Sequence, residues 1–441
     1  MIKKKFLFFT LALALSVIGN SYLLYLFVPW LIAPALLMLL VCNLIPSFCG
    51  EGIYKARLRL CSHGNITLRL FVVYTLASLV VNIVFAFILL PLRWIDLLIG
   101  LGVCIGVGSV VFWNGIISVY LSSTQLGIKH RVIGALLGLV PVLNLIMLFK
   151  IIKITGREVC FEADKIRLNS ARREDKVCET KYPILLVHGV FFRDYKLLNY
   201  WGRIPSELKK NGATVFYGKQ QSALPVKKSA SELSWEIRKI IERENCGKVN
   251  IIAHSKGGLD SRYAIQNYGI GEYVASLTTV NTPHRGCKFA DYLLEKAPKK
   301  LVASVSKKYN GIFRALGDDS PDFLGAVSDL TSKRCTEFNK EVTDTKGVYC
   351  QSVGSIQKKA RSGQFPLNLT YRLVNIFDGE NDGLVGEESF PWGERYIINR
   401  AKGSRGISHA DMIDLNREDI PGFDVREFYV QLVSDLKNRG F

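Results

Sequence analysis

Apolar and polar positions divide the chain into two parts with different periodicities. Up to about residue 150 the sequence carries long apolar runs without a polar stripe, whereas later apolar runs are short and alternate with amphipathic segments. A run that is apolar on all faces over about 20 residues is typical of a membrane-spanning helix. The pattern therefore predicts an all-α transmembrane region at 1–155, a charge-dense juxtamembrane linker at 156–182 and a folded domain at 183–441.

Four segments of the first part are long enough to cross a bilayer. The charge-free segment Phe6–Ile45 allows two spans if the chain turns near Gly19 or Pro29. Three further segments allow one span each, namely Phe71–Leu90, Leu97–Leu121 and Val132–Phe149. We therefore expect four to five spans and a multi-pass membrane protein.

The start of the chain also fits a cleavable signal peptide. A basic stretch precedes the first apolar run, as in secretory signals, but further apolar segments follow it and no small-residue cleavage site stands out. Retained spans are therefore the favoured interpretation.

Basic residues near the spans indicate the side on which the folded domain lies. Five spans with the amino terminus inside place this domain on the extracellular side. Eight basic residues would then be cytoplasmic, Lys3, Lys4, Lys5, Lys55, Arg57, Arg59, Lys129 and Arg131. Four would lie outside, Arg93, Lys150, Lys153 and Arg157, which agrees with the positive-inside rule. If Phe6–Ile45 forms one span or a re-entrant hairpin, the domain moves to the cytoplasm.

From residue 183 onward, short apolar runs alternate with amphipathic segments. Runs such as PILLVHGV and KVNIIAHS are typical of buried strands, and ASELSWEIRKIIEREN has apolar residues at helical spacing. Strands that alternate with helices build a mostly parallel sheet covered on both faces. Amphipathic helices at about 289–330 interrupt the alternation and predict an insertion. We also expect a late strand at Tyr371–Gly379 and a closing helix near the carboxyl terminus.

Composition adds a strong positive charge and a high mean hydropathy of +0.19. The net charge is +19, but the basic residues are scattered and no basic helix with interleaved aromatic residues predicts nucleic-acid binding. Attraction to anionic lipid headgroups is the simpler account for a membrane-tethered domain. Ten cysteines follow no CxxC spacing, and the sequence leaves their pairing undetermined.

The stretch NIIAHSKGGLDSRYAI places a serine where a predicted strand meets a predicted helix. Residues Ala253 to Gly257 match the G-x-S-x-G pattern of a nucleophile elbow, with alanine in place of the first glycine. The alternative is that Ser255 merely caps the helix. A serine hydroxyl needs a base and an orienting acid to become a nucleophile, so distant residues decide between the two.

Residues downstream of Ser255 supply both partners. His409, in a loop before the last helix, is better placed as a base than His284, which directly follows a strand. The loop FDGENDGLVGEES offers three acids, and spacing alone does not choose among Asp378, Glu380 and Asp382.

Acyl transfer also needs amide donors for the oxyanion of its intermediate. One is the amide of the residue after the nucleophile, here Lys256, and the other comes from the loop after the first core strand. In LLVHGVFF, Gly189 allows a close approach and the amide of Val190 is the expected donor. His188 is interpreted as a residue that shapes this loop.

Together these residues resemble the bacterial triacylglycerol lipases, which have the α/β-hydrolase fold. Six motifs in order carry the resemblance over about Tyr182–Phe441: PILLVHGV, AHSKGG with LDSRYA, NTPHRG, GVYCQSVGS, ENDGLV and SHADMIDL. The resemblance implies a catalytic triad of Ser255, Asp382 and His409. It implies Val190 and Lys256 as the oxyanion hole, and a helical lid at about 289–330 that opens at a lipid surface.

The resemblance implies no cofactor for the chemistry, but it does imply a structural calcium ion near the base. Asp411 occupies the position of one ligand, and Asp414 and Asp419 are nearby oxygen donors. No acid lies between Asp344 and Asp378, so the upstream carboxylate that some relatives use is missing. The alternative is that Asp411 caps or pairs with the final helix.

The leading hypothesis is a membrane-anchored serine hydrolase that cleaves carboxylic ester bonds of lipids through an acyl-enzyme on Ser255. The same triad also serves a short-chain carboxylesterase, a phospholipase or an acyltransferase. From another class, the chain would be a non-catalytic membrane module that binds a lipid or a partner. The spans are the largest departure from the resemblance, and the hypothesis assigns them the task of holding the enzyme at its lipid substrate.

Overall fold

The computed structural model divides the chain into two compact units, Met1–Ala171 and Arg172–Phe441. It describes all residues except 1, 27, 29–31, 49–54, 91–92, 139, 141, 191–198, 222, 316 and 364–366.

The first unit is helical. Its helices are α1 (Ile2–Gly19), α2 (Ser21–Tyr25), α3 (Ile32–Leu44), α4 (Ala56–Leu89), α5 (Trp94–Ser122), α6 (Gly127–Leu137) and α7 (Leu143–Ala171). In the described part of the chain, α4 and α5 are long and apolar enough to cross a membrane. The apolar helices Lys5–Gly19 and Ala35–Leu44 are shorter.

Two expectations for this unit differ from the structure. The segment Val132–Phe149 is divided between α6 and α7, and the sequence has Gly138 and Pro141 between them. Proline lacks an amide hydrogen and disfavours the helical conformation of the residue before it. The predicted linker at 156–182 is helical as far as Ala171, because charged side chains of α7 find partners inside the unit.

Glu158 is the clearest example of such a partner. Its carboxylate accepts hydrogen bonds from the amides of Thr124 (3.0 Å) and Gln125 (3.2 Å) and from the hydroxyl of Ser123. Arg57 contacts the same carboxylate at 3.3 Å. A charged residue that a sequence pattern assigns to a linker is thus a structural anchor of α7.

The second unit is built on a parallel sheet of six described strands. The strands are β1 (Ile184–Val187), β2 (Val215–Tyr217), β3 (Val249–His254), β4 (Val274–Val280), β5 (Tyr349–Ser355) and β6 (Arg395–Asn399), in the order β2-β1-β3-β4-β5-β6. The connecting helices are α8 (Ile204–Lys210), α9 (Val226–Glu244), α10 (Lys256–Asn267), α11 (Lys288–Lys296), α12 (Lys299–Ala315), α13 (Phe323–Ser328), α14 (Ser332–Glu341), α15 (Leu367–Asp378) and α16 (Val425–Asn438). The predicted α/β fold is confirmed.

Alternation along β1 explains why helices cover both faces of the sheet. Ile184 and Leu186 pack in one apolar cluster with residues of α8 and α16. Leu185 and Val187 point the other way and pack with residues of α9 and α10. Successive side chains of a strand face opposite sides, so a strand that is apolar at every position requires two apolar layers.

The late strand predicted at Tyr371–Gly379 is wrong. This segment belongs to helix α15 as far as Asp378, and Leu367 and Val374 of that helix are buried seven residues apart, as helical periodicity requires. A short apolar run does not distinguish a strand from a helix by pattern alone. The last strand is β6, whose residues are only partly buried, so its apolar pattern is weak.

The insertion expected at about 289–330 contains α11, α12 and α13. Large apolar side chains on α11 and α12 are exposed, including Tyr292, Leu301 and Ile312. Helix α12 also carries Lys299, Lys300, Lys307, Lys308 and Arg314 and no acid.

Candidate active site

Ser255 lies on a sharp turn between β3 and α10. Its backbone has φ +55° and ψ −132°, a conformation that a residue other than glycine rarely adopts and that is typical of a nucleophile elbow. The Ser255 amide donates to the Val280 carbonyl (2.9 Å), and the Thr282 hydroxyl donates to the Ser255 carbonyl (2.7 Å). Among the described residues, its hydroxyl makes no capping hydrogen bond to α10. The strain therefore serves the position of the side chain and not a helix cap.

The two glycines after the elbow are required by close contacts. A Cβ atom at Gly257 would lie 2.4 Å from the carbonyl oxygen of His188, and one at Gly258 would lie 2.2 Å from the hydroxyl oxygen of Thr282. Both distances are too short for non-bonded atoms. These glycines let α10 begin directly beneath the ends of neighbouring strands.

Asp382 and His409 meet at the carboxyl end of the sheet. The carboxylate oxygen Oδ2 of Asp382 lies 2.6 Å from His409 Nδ1 and accepts from the Asn281 amide at 2.6 Å. The other oxygen, Oδ1, accepts from the amides of Leu384 (2.9 Å) and Val385 (2.8 Å). Because both oxygens accept, His409 Nδ1 is a donor, and its Nε2 is left with the lone pair that a general base needs.

The other two candidate acids serve different contacts. Asp378 accepts from the amides of Lys288 (3.2 Å) and Phe289 (3.3 Å) at the start of α11, and burial raises the pKa of its carboxyl. Glu380 is exposed and pairs with Arg400 at 2.8 Å. Of the three acids in this loop, the structure brings Asp382 to His409.

The loop after β1 lies against the elbow. A Cβ atom at Gly189 would come within 2.8 Å of the Ser255 Cβ atom, so only glycine allows this approach. Val190, the expected oxyanion donor, is buried beside it. His188 contacts the Gln220 carbonyl through Nε2 (2.8 Å), and Gln220 donates to the His188 carbonyl (3.0 Å). His188 thus holds the loop in place, as the sequence predicts.

His284 is integrated into the core. Its Nε2 lies 2.9 Å from the Thr279 hydroxyl, its Nδ1 lies 3.2 Å from Arg262, and its ring stacks on Trp392 at 4.8 Å. Burial, followed by the charge of Arg262, lowers the pKa of His284 well below its usual value. These contacts give His284 a structural role.

The side chain of Lys256 is buried together with an acid. Its Nζ lies 2.5 Å from Asp260 Oδ1 and 3.0 Å from the Ser229 hydroxyl. Burial, opposed by Lys256, raises the pKa of Asp260 to about 7. The i,i+4 spacing of Lys256 and Asp260 was visible in the sequence, but only the fold shows that the pair is enclosed.

Two residues near the site escaped sequence reasoning. The Tyr200 hydroxyl lies 2.7 Å from His254 Nδ1, and the ring of His254 packs against that of His409 with centroids 4.4 Å apart. His254 lies within the elbow motif, but nothing in the motif gives its side chain a task. Tyr200 has no sequence signal, because its partner lies 54 positions away.

The acids assigned to calcium do not fit a calcium ion. Asp411 is bound by Arg405 (2.7 and 3.2 Å) and by the Ser408 amide (2.8 Å). Arg203 binds Asp414 at 2.8 Å and Asp419 at 2.9 Å. Each of these three carboxylates is thus bound by a guanidinium group, and within the described residues no cluster of three metal-ligating side chains is present.

Comparison with known proteins gives relatives that match more than half of the chain. A triacylglycerol lipase from Pseudarthrobacter phenanthrenivorans is 33% identical over an alignment that covers 56% of this chain and 97% of the relative. One from Burkholderia plantarii is also 33% identical, with 56% of this chain and 87% of the relative covered. The mature Bacillus licheniformis lipase BlEst2 is 21% identical and covers 58% of this chain and 92% of its own, with a TM-score of 0.43. No family model matches the chain.

Proposed function

The chain belongs to the triacylglycerol lipase family and is a carboxylic ester hydrolase, and on this premise we propose that it cleaves lipid esters through an acyl-enzyme on Ser255. The observation that carries the proposal is the 2.6 Å contact between Asp382 and His409, in a unit that also holds Ser255 on a strained elbow. Nucleophile, base and acid are the three groups that ester cleavage by a serine requires.

The reaction proceeds in two halves. The Ser255 hydroxyl attacks the ester carbonyl while His409 Nε2 takes its proton, and Asp382 stabilises the imidazolium that forms. The amides of Val190 and Lys256 donate to the oxyanion of the tetrahedral intermediate. The intermediate expels the alcohol, which receives the proton from His409, and leaves an acyl group on Ser255. Water, deprotonated by His409, then attacks this ester, and His409 returns the proton to the departing Ser255 oxygen as the carboxylic acid is released.

The first unit has the features of an anchor at the substrate. Helices α4 and α5 are long and apolar enough to cross a bilayer, and large apolar side chains such as Phe87 and Leu121 are exposed on them. Anchoring places the hydrolase unit at a surface of lipid esters. We assign a multi-pass topology with the hydrolase unit on the extracellular side, supported by the distribution of Lys and Arg around the apolar segments.

The helical insertion has the properties of a lid. Its exposed apolar side chains and its basic residues match a surface of anionic lipid, which would draw the helices away from the site. A lid of this kind favours aggregated esters over dispersed ones. Activity on tributyrin above and below its solubility limit tests this assignment: a step at the limit supports a lid, and hyperbolic kinetics throughout contradicts it.

Labelling with a fluorophosphonate probe tests the acyl-enzyme proposal. We expect one adduct, on Ser255, in the wild-type chain and in Ser231→Ala, an exposed serine that serves as the control. Ser255→Ala should give no adduct and lower kcat by at least about 10⁴-fold. Labelling of Ser255→Ala at the wild-type rate would eliminate Ser255 as the nucleophile, and the absence of any adduct on the wild-type chain would favour a non-catalytic module.

Substrate profiling separates the enzyme alternatives. Hydrolysis of p-nitrophenyl esters of increasing chain length, triglycerides and phospholipids distinguishes a lipase from a short-chain esterase or a phospholipase. Adding a primary alcohol as competitor tests acyl transfer, because a transferase forms the new ester in preference to the free acid. Reporter fusions after Ala171 test the topology, and a cytoplasmic signal there would overturn the extracellular assignment.

A further inference from the structure

A single tyrosine connects the oxyanion loop to the elbow. The Tyr200 hydroxyl oxygen accepts a hydrogen bond from the Gly189 amide at 3.0 Å and lies 2.7 Å from Nδ1 of His254. A hydroxyl has one proton, and its contact with Gly189 uses a lone pair. The hydroxyl proton and the second lone pair both remain for the contact with His254 Nδ1. Tyr200 thus links the residue before the expected oxyanion donor to the residue before the expected nucleophile.

His254 extends this link to the base. Its ring packs against the ring of His409 with centroids 4.4 Å apart and an angle of 56° between the planes. Burial, followed by the charge of His409, lowers the pKa of His254 well below its usual value, so the ring stays neutral while His409 changes charge. A neutral ring supports the imidazolium form of His409 without repelling it.

Aromatic packing also holds these rings in place. Trp201 lies against both Tyr200 (5.7 Å) and His254 (6.3 Å), and Tyr429 lies against Trp201 (6.0 Å). All four side chains are buried. Removal of the Tyr200 hydroxyl would therefore leave the ring packing of the cluster in place and delete the hydrogen bonds to Gly189 and His254.

We propose that Tyr200 and His254 are positioning residues of the active site: the Tyr200 hydroxyl fixes the oxyanion loop against the elbow, and the His254 ring it orients holds His409 in line with Ser255. The proposal rests on the proposed function of Ser255 and His409. It gives His254, the histidine of the AHSKGG motif, a role in positioning His409 in addition to packing.

The Tyr200→Phe variant of the full chain tests the proposal, with Tyr429→Phe as its matched control. Tyr429 is an equally buried tyrosine of the same aromatic cluster, and within the described residues its hydroxyl has no partner. For hydrolysis of a soluble p-nitrophenyl ester we expect Tyr200→Phe to lower kcat by about 10- to 100-fold with KM within about twofold, because a loosened oxyanion donor acts in the transition state. Tyr429→Phe should retain wild-type kcat.

The His254→Phe variant and the double variant show whether Tyr200 and His254 act together. His254→Phe keeps an aromatic ring beside His409 but removes the ring nitrogen to which the Tyr200 hydroxyl is hydrogen-bonded. We expect it to reduce kcat about as much as Tyr200→Phe, and the double variant to add little, since coupled residues are not additive. All rates are divided by the number of active sites that a fluorophosphonate probe titrates. A smaller amount of folded protein is therefore not mistaken for a lower kcat per site.

The outcomes separate this inference from the proposed function. If Ser255→Ala keeps its activity, the proposed function itself is wrong. If Ser255→Ala is inactive while Tyr200→Phe equals Tyr429→Phe in kcat per titrated site, only the positioning role is overturned. Additive losses in the double variant would also overturn it, because the two side chains would then act separately.

Discussion

The two units of the chain use buried polar groups in opposite ways. In the helical unit, Glu158 and Asn65 are enclosed while Phe87 is 85% exposed, so the interior is partly polar and the surface strongly apolar. In the hydrolase unit, strand residues such as Ile184 and Ile252 are fully buried, and polar side chains gather where the strands end. The first arrangement suits contact with lipid tails, which do not compete for hydrogen bonds. The second arrangement suits a unit whose surface contacts water and whose polar side chains act at the edge of the sheet where the strands end.

The polar contacts of the helical unit join helices to one another. Asn65 donates to the Ile152 carbonyl and to the Thr155 hydroxyl, both at 2.7 Å, and Asn20 contacts Ser78 at 3.1 Å. At the hydrolase edge, in contrast, the bonds around Asp382 orient a histidine. Loss of a polar group should therefore affect assembly in one unit and turnover in the other.

The largest effect should come from the hydrolase edge. Asp382→Asn cannot accept from His409 as a carboxylate does, so the imidazole adopts the wrong tautomer, and we expect kcat to fall by about 10⁴-fold. Glu380→Gln, in the same loop but exposed, should stay within about threefold. The measurement is kcat on a soluble ester, with thermal stability as the check that both variants fold. Near-wild-type kcat in Asp382→Asn would contradict the assignment of the acid.

The helical unit should show the opposite response. Glu158→Ala removes an acceptor for buried amides and hydroxyls, and we expect a loss of about 3 kcal/mol of stability in that unit. Asp164→Ala, an exposed acid on the same helix, should cost less than about 0.5 kcal/mol. Denaturation of the full chain in detergent measures the difference. The kcat per titrated Ser255 should not change in either variant. A large fall in kcat for Glu158→Ala would show that polar groups of the helical unit also affect turnover.

Buried histidines should make the hydrolase unit less stable in weak acid. Burial lowers the pKa of His254 and of His284 well below 6.5, so both remain neutral when folded and become protonated when unfolded. The unfolded state then binds more protons, and stability falls as the pH drops below about 6.5, by about 1.4 kcal/mol per pH unit for each histidine until its folded pKa is reached.

The midpoint of thermal inactivation between pH 7.5 and 5.5, assayed after return to one pH, measures this loss. His284→Gln should flatten the dependence, because one of the two buried groups is removed. A midpoint that is constant over this range would show that neither histidine is held neutral.

The smallest effect should come from metal removal. Because arginines bind the carboxylates of Asp411, Asp414 and Asp419, we expect EDTA to change kcat by less than about twofold. The midpoint of thermal inactivation should move by less than about 1 °C. A loss that added calcium restores would show that these acids bind the ion after all.

Sequence reasoning worked where a local pattern had one physical cause. The run KVNIIAHS is apolar because β3 is buried on both faces, and the elbow motif marks a turn that few sequences permit. It failed where two causes give the same pattern, as in Tyr371–Gly379, which belongs to a helix. It also missed Asn281, whose bond to Asp382 joins residues 101 positions apart. The arginines that occupy Asp411 and Asp414 were likewise invisible, since only the fold brings Arg203 to a residue 211 positions later.

That pairing of Arg203 with Asp414 has a consequence for where the enzyme can work. A loop held by a dissolved ion is ordered in proportion to the ion's concentration and loses its clamp on dilution. A guanidinium on the same chain is present at a fixed stoichiometry of one, and mass action does not remove it. The loops that Arg203 joins to Asp414 are therefore held by a contact within the chain, and the strength of that contact does not depend on the concentration of calcium in the medium.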